Sequence, residues 1–308
     1  MSLKKSLTLK EVLWTSCCSA LYLILTSFFI GFKTEQIILI LLFNILYYLS
    51  PLTRKFILGF LIFIVFWILF DSMKAFPNYR FNIVHIKELY FAEKKWFGIN
   101  SHGTILTPNE FAQLHTTTGL DVIAGLFYLN WVPIPLIFAF YLFRKNKMQF
   151  LYFSLSFLLV NIIGFIIYYI YPAAPPWYVQ KYGFLLNINT PGNTAGLGRF
   201  DIFFGINLFG SLYAKSSNVF AAMPSLHSAY PVIVFYYGLK NKLGYINILF
   251  FIFMIGIWFA AIYSFHHYTL DVLVGVLCAI MTLFIFNYIL VKQTGFKSFL
   301  IKYSNVIS

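Results

Sequence analysis

Long runs of apolar residues constrain this chain more than any other feature. Eight stretches of 15 to 25 mostly apolar residues alternate with more polar segments. A helix that crosses a bilayer needs about 20 such residues, so each stretch is a candidate membrane span, although the second and sixth are short. Only 10% of the residues are charged, against about 25% in soluble domains. The pattern predicts an all-α, polytopic membrane helical bundle with about eight transmembrane helices. The stretches are residues 12–32, 36–50, 56–73, 119–143, 149–170, 225–239, 245–264 and 268–291.

The basic residues between these stretches predict an orientation. With a cytoplasmic N-terminus and alternating spans, 13 of the 22 Lys and Arg residues lie on the cytoplasmic side, and Glu11 is the one acid there. Because cytoplasmic loops carry an excess of Lys and Arg, we expect cytoplasmic N- and C-termini. The net charge of +13 then indicates topology and affinity for anionic lipid, not nucleic acid. The 13 basic residues on the predicted cytoplasmic side are Lys4, Lys5, Lys10, Arg54, Lys55, Arg144, Lys145, Lys147, Lys240, Lys242, Lys292, Lys297 and Lys302.

Two long segments, residues 74–118 and 171–224, then lie outside the cytoplasm. In the first, Thr107-Pro-Asn-Glu110 has the pattern of a helix N-terminus with a capping box, so we expect a helix over 111–118 along the membrane interface. The second is rich in Pro, Gly and Asn and predicts an ordered loop. We therefore divide the chain into N-terminal transmembrane helices (1–73) and a catalytic helical core (74–308).

All six histidines fall on the extracytoplasmic side in this topology. His227 lies at the start of the sixth stretch, whereas His266 and His267 lie in the turn between the seventh and eighth. His227 and His267 should therefore occupy the same membrane face. Asp271 follows His267 by four residues, so a helix would place both on one side.

This set of residues predicts nucleophilic catalysis. A carboxylate bonded to one imidazole nitrogen fixes the tautomer and leaves the other nitrogen free to attack. We therefore expect His267 as nucleophile, Asp271 as its orienting carboxylate and His227 as acid and base. An isolated His-x-x-x-Asp pair often has only a structural role. Here we expect two further features beside it, a second imidazole and a helix start near Ser225 and Leu226 that favours an anion. No cluster of carboxylates or cysteines indicates a metal or cofactor.

Three motifs resemble the type 2 phosphatidic acid phosphatase superfamily, and more closely its inositol phosphorylceramide synthase branch. The similarity spans about residues 74–290, and the second and third motifs are specific as a pair. It implies a six-helix core and a phosphohistidine intermediate, with His267, Asp271 and His227 in the roles given above. The motifs are Tyr171-Pro-Ala-Ala-Pro-Pro-Trp-Tyr178, Asn218-Val-Phe-Ala-Ala-Met-Pro-Ser-Leu-His-Ser-Ala229 and His266-His-Tyr-Thr-Leu-Asp-Val272.

The chain departs from the phosphatases of that superfamily at their cationic clamp. Those enzymes carry a Lys, six residues and Arg-Pro, and a further Arg six residues before the nucleophile. Here Gly164, Tyr171 and Ala261 stand at the corresponding positions. A phosphodiester carries one negative charge and a monoester up to two, so the loss favours a diester transferase. The contacts to phosphate then remain open, with Ser225, Leu226, Arg199, Tyr171, Lys181 and Lys215 as candidates.

His266 has two interpretations, a contact to phosphate or inositol, or a structural partner for a tyrosine or the backbone. The resemblance implies transfer of phosphoinositol from phosphatidylinositol to ceramide with release of diacylglycerol. Two alternatives are a lipid phosphate phosphatase, acting on phosphatidic acid or an isoprenyl pyrophosphate, and a membrane transporter. The expected partners are these lipids and the bilayer. The sequence leaves the oligomeric state, an accessory subunit, the head group and the acceptor open.

Overall fold

The computed structural model describes residues 8–215 and 218–308 and is predominantly helical there. Lys4 and Lys5, two of the residues behind the predicted orientation, lie outside this part. The helices are α1 Leu9–Phe29, α2 Thr34–Leu49, α3 Pro51–Ser72, α4 Lys87–Phe97, α5 Pro108–Leu114, α6 Thr118–Leu129, α7 Pro133–Lys145, α8 Lys147–Ile170, α9 Pro176–Tyr182, α10 Gly198–Phe204, α11 Leu208–Ala214, α12 Leu226–Lys240, α13 Ile246–Tyr263, α14 Thr269–Phe284 and α15 Thr294–Ile307. A small antiparallel hairpin joins β1 Ile99–Ser101 to β2 Thr104–Leu106.

Each of the eight apolar stretches is helical, which confirms the predicted helical membrane protein. Six helical segments are long and apolar enough to cross a membrane. The second and sixth stretches form the shorter helices α2 and α12, of 16 and 15 residues. The six segments are Leu9–Phe29, Pro51–Ser72, Thr118–Lys145, Lys147–Ile170, Ile246–Tyr263 and Thr269–Leu290.

Two local details differ from the expectation, although the fourth stretch is long and apolar enough to cross a membrane as Thr118–Lys145. The fourth stretch is interrupted, because α6 ends at Leu129 and α7 begins at Pro133, which lacks the amide hydrogen that a continuous helix needs. The helix expected over 111–118 ends at Leu114 instead. A new helix starts at Thr118, where the Thr117 side chain accepts a hydrogen bond from the Leu120 amide and caps α6.

The chain forms two compact units. The first contains residues 8–76 and 295–308, and within it the Tyr303 hydroxyl donates to the Leu58 carbonyl at 2.6 Å. The second contains residues 77–294, with all six histidines. The division at residue 73 into N-terminal helices and a catalytic core stays a proposal, and the compact units place the last 14 residues with the first group.

Glycine allows close packing where α12 starts in the second unit. A Cβ atom on Gly275 of α14 would lie 2.2 Å from the Ser225 carbonyl oxygen, and one on Gly164 of α8 would lie 2.6 Å from the Leu226 side chain. The backbone at the start of α12 therefore rests directly on α14 and α8. This contact fixes the position of His227, the second residue of α12.

We expect Gly275→Ala to destabilise the protein, because its new methyl group meets a backbone carbonyl that no side-chain rotation can move. Overpacking of this kind costs about 1–3 kcal/mol in free energy of unfolding. Gly119→Ala is the matched control, since a Cβ there meets no atom within 4 Å. Thermal unfolding in detergent should separate the two variants, and equal midpoints would contradict the packing described.

Candidate active site

The structure brings the His227 and His267 imidazoles into direct contact. Nδ1 of His227 lies 3.2 Å from Nε2 of His267, and His267 Nδ1 donates to the Ala222 carbonyl at 3.0 Å. A carbonyl oxygen only accepts, so the proton of neutral His267 is on Nδ1 and its Nε2 carries a lone pair. The hydrogen between the two rings therefore belongs to Nδ1 of His227. Nε2 is therefore the nitrogen of His267 that could act as a nucleophile.

The Ala222 carbonyl is held by paired extended segments. Ala173, from the proline-rich motif, donates its amide to the Phe220 carbonyl at 2.9 Å and accepts from the Ala222 amide at 3.2 Å. On its other side, the His85 amide donates to the Pro172 carbonyl at 2.8 Å. The proline-rich motif thus has a structural function, because it aligns the carbonyl that orients His267.

Asp271 lies beside His267 but does not bond to it, which corrects the expected hydrogen bond. Its Oδ2 atom accepts from the Tyr268 amide at 2.8 Å and lies 3.6 Å from His267 Nδ1. Nδ1 already has the Ala222 carbonyl as acceptor, and the carboxylate caps α14 instead. Asp271 is completely buried. At this distance its negative charge still favours a positively charged imidazole, so its role as orienter remains a proposal.

Glu93 is a second buried carboxylate at the same helix start, and sequence reasoning missed it. Its two oxygens accept from the amides of Thr269 at 2.8 Å and Leu270 at 3.1 Å, and the side chain is 0% exposed. Burial raises the pKa of the Glu93 carboxyl, while the hydrogen bonds from Thr269 and Leu270 lower it. Glu93, on α4, therefore occupies the N-terminal end of α14.

Asn109 fixes the backbone of the turn between α13 and α14, which contains His266 and His267. Its Nδ2 atom donates to the Ile262 carbonyl at 2.7 Å and to the His267 carbonyl at 2.9 Å. The capping box between Thr107 and Glu110, expected from the sequence, starts α5 and places Asn109 in its first turn. The motif at the start of α5 therefore supports the site through Asn109, which the sequence analysis did not single out.

Aromatic side chains surround His227. The Tyr128 hydroxyl lies 3.2 Å from its Nδ1 atom, and the Trp131 ring meets the imidazole edge-on, with ring centroids 4.5 Å apart. Tyr128 lies in the last turn of α6, and Trp131 lies in the break before α7. The interruption of the fourth stretch thus lets one short segment contact His227 with two side chains.

His266 is engaged as a structural partner, the second of its two interpretations. Its Nε2 atom donates to the Thr194 carbonyl at 2.9 Å. Its ring is stacked near the rings of Tyr213 and Tyr128, at centroid distances of 4.5 and 5.4 Å. Tyr128 is therefore a neighbour of both His266 and His227. A contact to phosphate or inositol stays a prediction that these bonds do not favour.

No described contact joins the other predicted phosphate-binding residues to the imidazole pair. Arg199 donates from Nε to Asp121 at 2.6 Å, and its guanidinium lies over the Tyr263 ring. Tyr171 stacks on His85 with centroids 3.8 Å apart. Lys181 lies over the Tyr182 ring.

The start of α12 offers less to an anion than the sequence suggested. The Ser225 amide donates to the Asp271 carbonyl at 2.9 Å, and the Ser225 hydroxyl accepts from Ser228 at 3.0 Å. Leu226 is buried and faces Gly164. The Ser225 amide is therefore paired within the protein, and phosphate binding at this helix end stays a prediction.

Burial keeps the histidines of the turn neutral. It lowers the pKa of His267 to about 4, although the bond to the Ala222 carbonyl raises it. It also lowers the pKa of His266 to about 3, with a smaller effect from His267. A neutral His267 keeps an unprotonated Nε2 at physiological pH. Within the described residues, no group of three or more His, Cys, Asp or Glu side chains could hold a metal ion.

The helical bundle and the paired imidazoles define a class of protein. The chain belongs to the PAP2 superfamily, whose family model matches residues 102–285. Phosphoinositol dihydroceramide synthase of Bacteroides thetaiotaomicron is 45% identical to it over 97% of this chain and 98% of that protein. No solved structure matches the chain.

Fungal proteins are more distant relatives. The catalytic subunit of inositol phosphorylceramide synthase from Saccharomyces cerevisiae is 29% identical over 80% of this chain and 61% of that protein. The inositol phosphorylceramide synthase of Candida albicans is 28% identical over 78% of this chain and 50% of that protein. The chain thus spans half to two thirds of these fungal proteins. The resemblance inferred from the three motifs is confirmed.

We expect Glu93→Gln to lower both stability and turnover. An amide side chain has one acceptor oxygen, so one of the two backbone amides at the start of α14 loses its partner. Hydrogen bonds to a charged group contribute about 1.5–3 kcal/mol each. Glu88→Gln is the control for unfolding, because Glu88 is an exposed residue of the same helix. Thermal unfolding and lipid turnover of both variants test this, and a Glu93→Gln protein equal to wild type would contradict it.

The tautomers can be checked by ¹⁵N magnetic resonance of histidine-labelled protein. His267 should carry its proton on Nδ1 and His266 on Nε2. Both should stay neutral as the pH falls from 8 to about 5, because an ordinary histidine titrates near 6.5 and burial lowers both values. The variants His267→Asn and His266→Asn identify the signals. Titration of the His267 signal near pH 6.5 would contradict the burial described.

Proposed function

We propose that this protein transfers phosphoinositol from phosphatidylinositol to the primary hydroxyl of ceramide or dihydroceramide and releases diacylglycerol. The observation that carries the proposal is the contact of 3.2 Å between two imidazole nitrogens. It occurs in a chain 45% identical, over nearly its whole length, to a phosphoinositol dihydroceramide synthase. Histidine pairs suit phosphoryl transfer, because one ring can act as nucleophile and the other as acid and base.

The first displacement forms a phosphohistidine. The Nε2 lone pair of His267 attacks phosphorus, and the bond between phosphorus and the diacylglycerol oxygen breaks. That oxygen takes the proton from Nδ1 of His227, so diacylglycerol leaves as a neutral alcohol. His227 enters this step as an imidazolium, which the anionic phosphodiester beside it favours. His267 keeps its Nδ1 proton and its bond to the Ala222 carbonyl, and Asp271 stabilises the positive charge on the ring.

The second displacement reverses the roles. The primary hydroxyl of the acceptor lipid gives its proton to Nδ1 of His227, and its oxygen attacks phosphorus. The bond between phosphorus and Nε2 breaks, and its electron pair returns to His267. Two in-line displacements give net retention at phosphorus. Backbone amides and the imidazolium can stabilise the charge on the phosphoryl oxygens.

The imidazole pair has to open before the first displacement. A nucleophile needs to lie about 3–3.5 Å from the atom it attacks, and an acid needs to lie about 2.6–3.2 Å from its acceptor. Phosphorus and the leaving oxygen cannot both fit within the 3.2 Å that separates Nδ1 of His227 from Nε2 of His267. The donor lipid therefore inserts its phosphate between the rings and replaces their mutual hydrogen bond.

The packing supports a diester as donor over a phosphate monoester. Gly164, at the position of the phosphatase Lys, lies so close to Leu226 that a Cβ atom would be 2.6 Å away. Ala261, at the position of the Arg before the nucleophile, is 0% exposed. Its carbonyl accepts from the amides of His266 and His267 at 3.2 and 3.0 Å. Neither position has room for a long cationic side chain, so the clamp that would neutralise a second charge cannot form there.

A surface groove of about 620 Å³ in the same unit has the lining expected for lipid contact. Arg80 and Lys87 contribute positive charge to it, and Phe81 and Ile83 are exposed apolar side chains. We propose that the site faces the extracytoplasmic side, with both termini in the cytoplasm, so that lipids enter from the outer leaflet. The asymmetric distribution of basic residues supports this orientation.

The test is an assay of the purified protein with phosphatidylinositol and ceramide or dihydroceramide, with products identified by mass spectrometry. We expect release of diacylglycerol and formation of a phosphoinositol ceramide, unaffected by EDTA. His267→Ala should abolish both products, and Asp271→Asn should lower turnover about 10-fold or more, because it removes the negative charge 3.6 Å from Nδ1 that favours a positively charged ring.

The same assay separates the alternatives. Release of phosphate from phosphatidic acid or an isoprenyl pyrophosphate, independent of ceramide, would indicate a phosphatase. Transport of a solute into proteoliposomes without lipid turnover would indicate a transporter. Substantial activity in folded His267→Ala protein would overturn the assignment of the nucleophile, and activity restored only by an added divalent metal would overturn the metal-free mechanism.

A further inference from the structure

Nδ1 of His227 has two polar neighbours at equal distance. His267 Nε2 and the Tyr128 hydroxyl oxygen each lie 3.2 Å away. In the proposed reaction the phosphate separates the two rings, so the contact to His267 is lost when chemistry begins. The Tyr128 hydroxyl is then the neighbour that remains. Nδ1 of His227 has to face the leaving oxygen in the first step and the acceptor hydroxyl in the second. It needs a remaining partner that holds the ring in this orientation.

Tyr128 is rigidly held. The side chain is 1% exposed and stacks against the His266 ring at a centroid distance of 5.4 Å. The Tyr213 hydroxyl approaches the Tyr128 hydroxyl to 3.5 Å. His266 itself is fixed by its bond to the Thr194 carbonyl. The hydroxyl of Tyr128 therefore has a defined position that does not depend on the contact between the two catalytic imidazoles.

We propose that Tyr128 is a positioning residue for the acid and base steps, an inference that rests on the proposed function. Its hydroxyl lies beside Nδ1 and shares the hydrogen of that atom with the reacting phosphate in a three-centre bond, which keeps this edge of His227 in the site. A hydroxyl can accept a hydrogen bond while Nδ1 carries the proton and donate one after the proton has left. A carboxylate or an ammonium group could do only one of these. A tyrosine therefore suits a partner whose protonation state changes twice in each turnover.

The test compares two donors in Tyr128→Phe, a variant that keeps the ring and its stacking and removes only the hydroxyl. Phosphatidylinositol has a leaving group that needs a proton. A nitrophenyl ester of inositol phosphate has one that leaves as a stable anion without a proton. We expect kcat with phosphatidylinositol to fall about 10- to 100-fold, as for a misplaced catalytic group, with KM changed less than about threefold. The burst of nitrophenolate, which reports only the first displacement, should keep the wild-type rate.

Tyr237→Phe is the matched control. Tyr237 is also a fully buried tyrosine, but its hydroxyl contacts Ser156 and the Tyr152 carbonyl. This variant should turn over phosphatidylinositol at the wild-type rate. The burst amplitude counts competent molecules, so loss of folded protein is corrected for in each variant.

The outcomes are distinct. Wild-type turnover of phosphatidylinositol by Tyr128→Phe overturns the inference and leaves the proposed function intact. An equal loss with both donors indicates a structural role and also overturns it. A wild-type protein that transfers nothing from phosphatidylinositol overturns the proposed function and the inference with it.

Discussion

The hydrogen bond from Nδ1 of His267 to the Ala222 carbonyl is the interaction on which the site depends. It determines which nitrogen carries the lone pair and holds the ring against the start of α12. The acceptor is a backbone atom, fixed by the pairing of the Ala222 segment with Ala173. The orientation of the His267 ring, the proposed nucleophile, thus follows from main-chain geometry. Asp271 lies one turn away, where its carboxylate caps α14 and places a negative charge beside the His267 ring.

Buried polar groups from distant parts of the chain hold the same turn. Glu93 binds two amides at the start of α14, and Asn109 binds the carbonyls of Ile262 and His267. Each satisfies backbone groups that a helix end or a turn would otherwise leave unpaired in a buried place, which is costly. Residues 74–118 therefore do more than connect helices, because they complete the hydrogen bonding of the turn that contains His266 and His267.

Much of this architecture follows from sequence periodicity and local motifs. The apolar stretches become helices, the capping box at Thr107 starts α5, and the two histidine motifs meet. These features depend on neighbouring residues or on helix ends that share a membrane face.

The parts that the sequence did not predict depend on contacts between remote positions. Tyr128 lies 99 residues from His227, and Glu93 lies 176 residues from Thr269. Asp271 was expected to bond His267, because helical spacing brings the two side chains together. Spacing cannot reveal that a carbonyl from another segment reaches the imidazole first. Pro133 indicates a helix break in the sequence. Only the tertiary structure shows that this break brings Trp131 against His227.

In the proposed reaction, the direct contact between the two rings favours an anionic group as the molecule that enters between them. A molecule that parts them has to replace a hydrogen bond whose net contribution is about 0.5–1.5 kcal/mol. A neutral lipid offers no anion to either imidazole, so in its presence the rings stay together and the lone pair of His267 stays covered. An inhibitor should accordingly place a singly charged tetrahedral group between the rings, and a long apolar tail without such a group should bind only outside them.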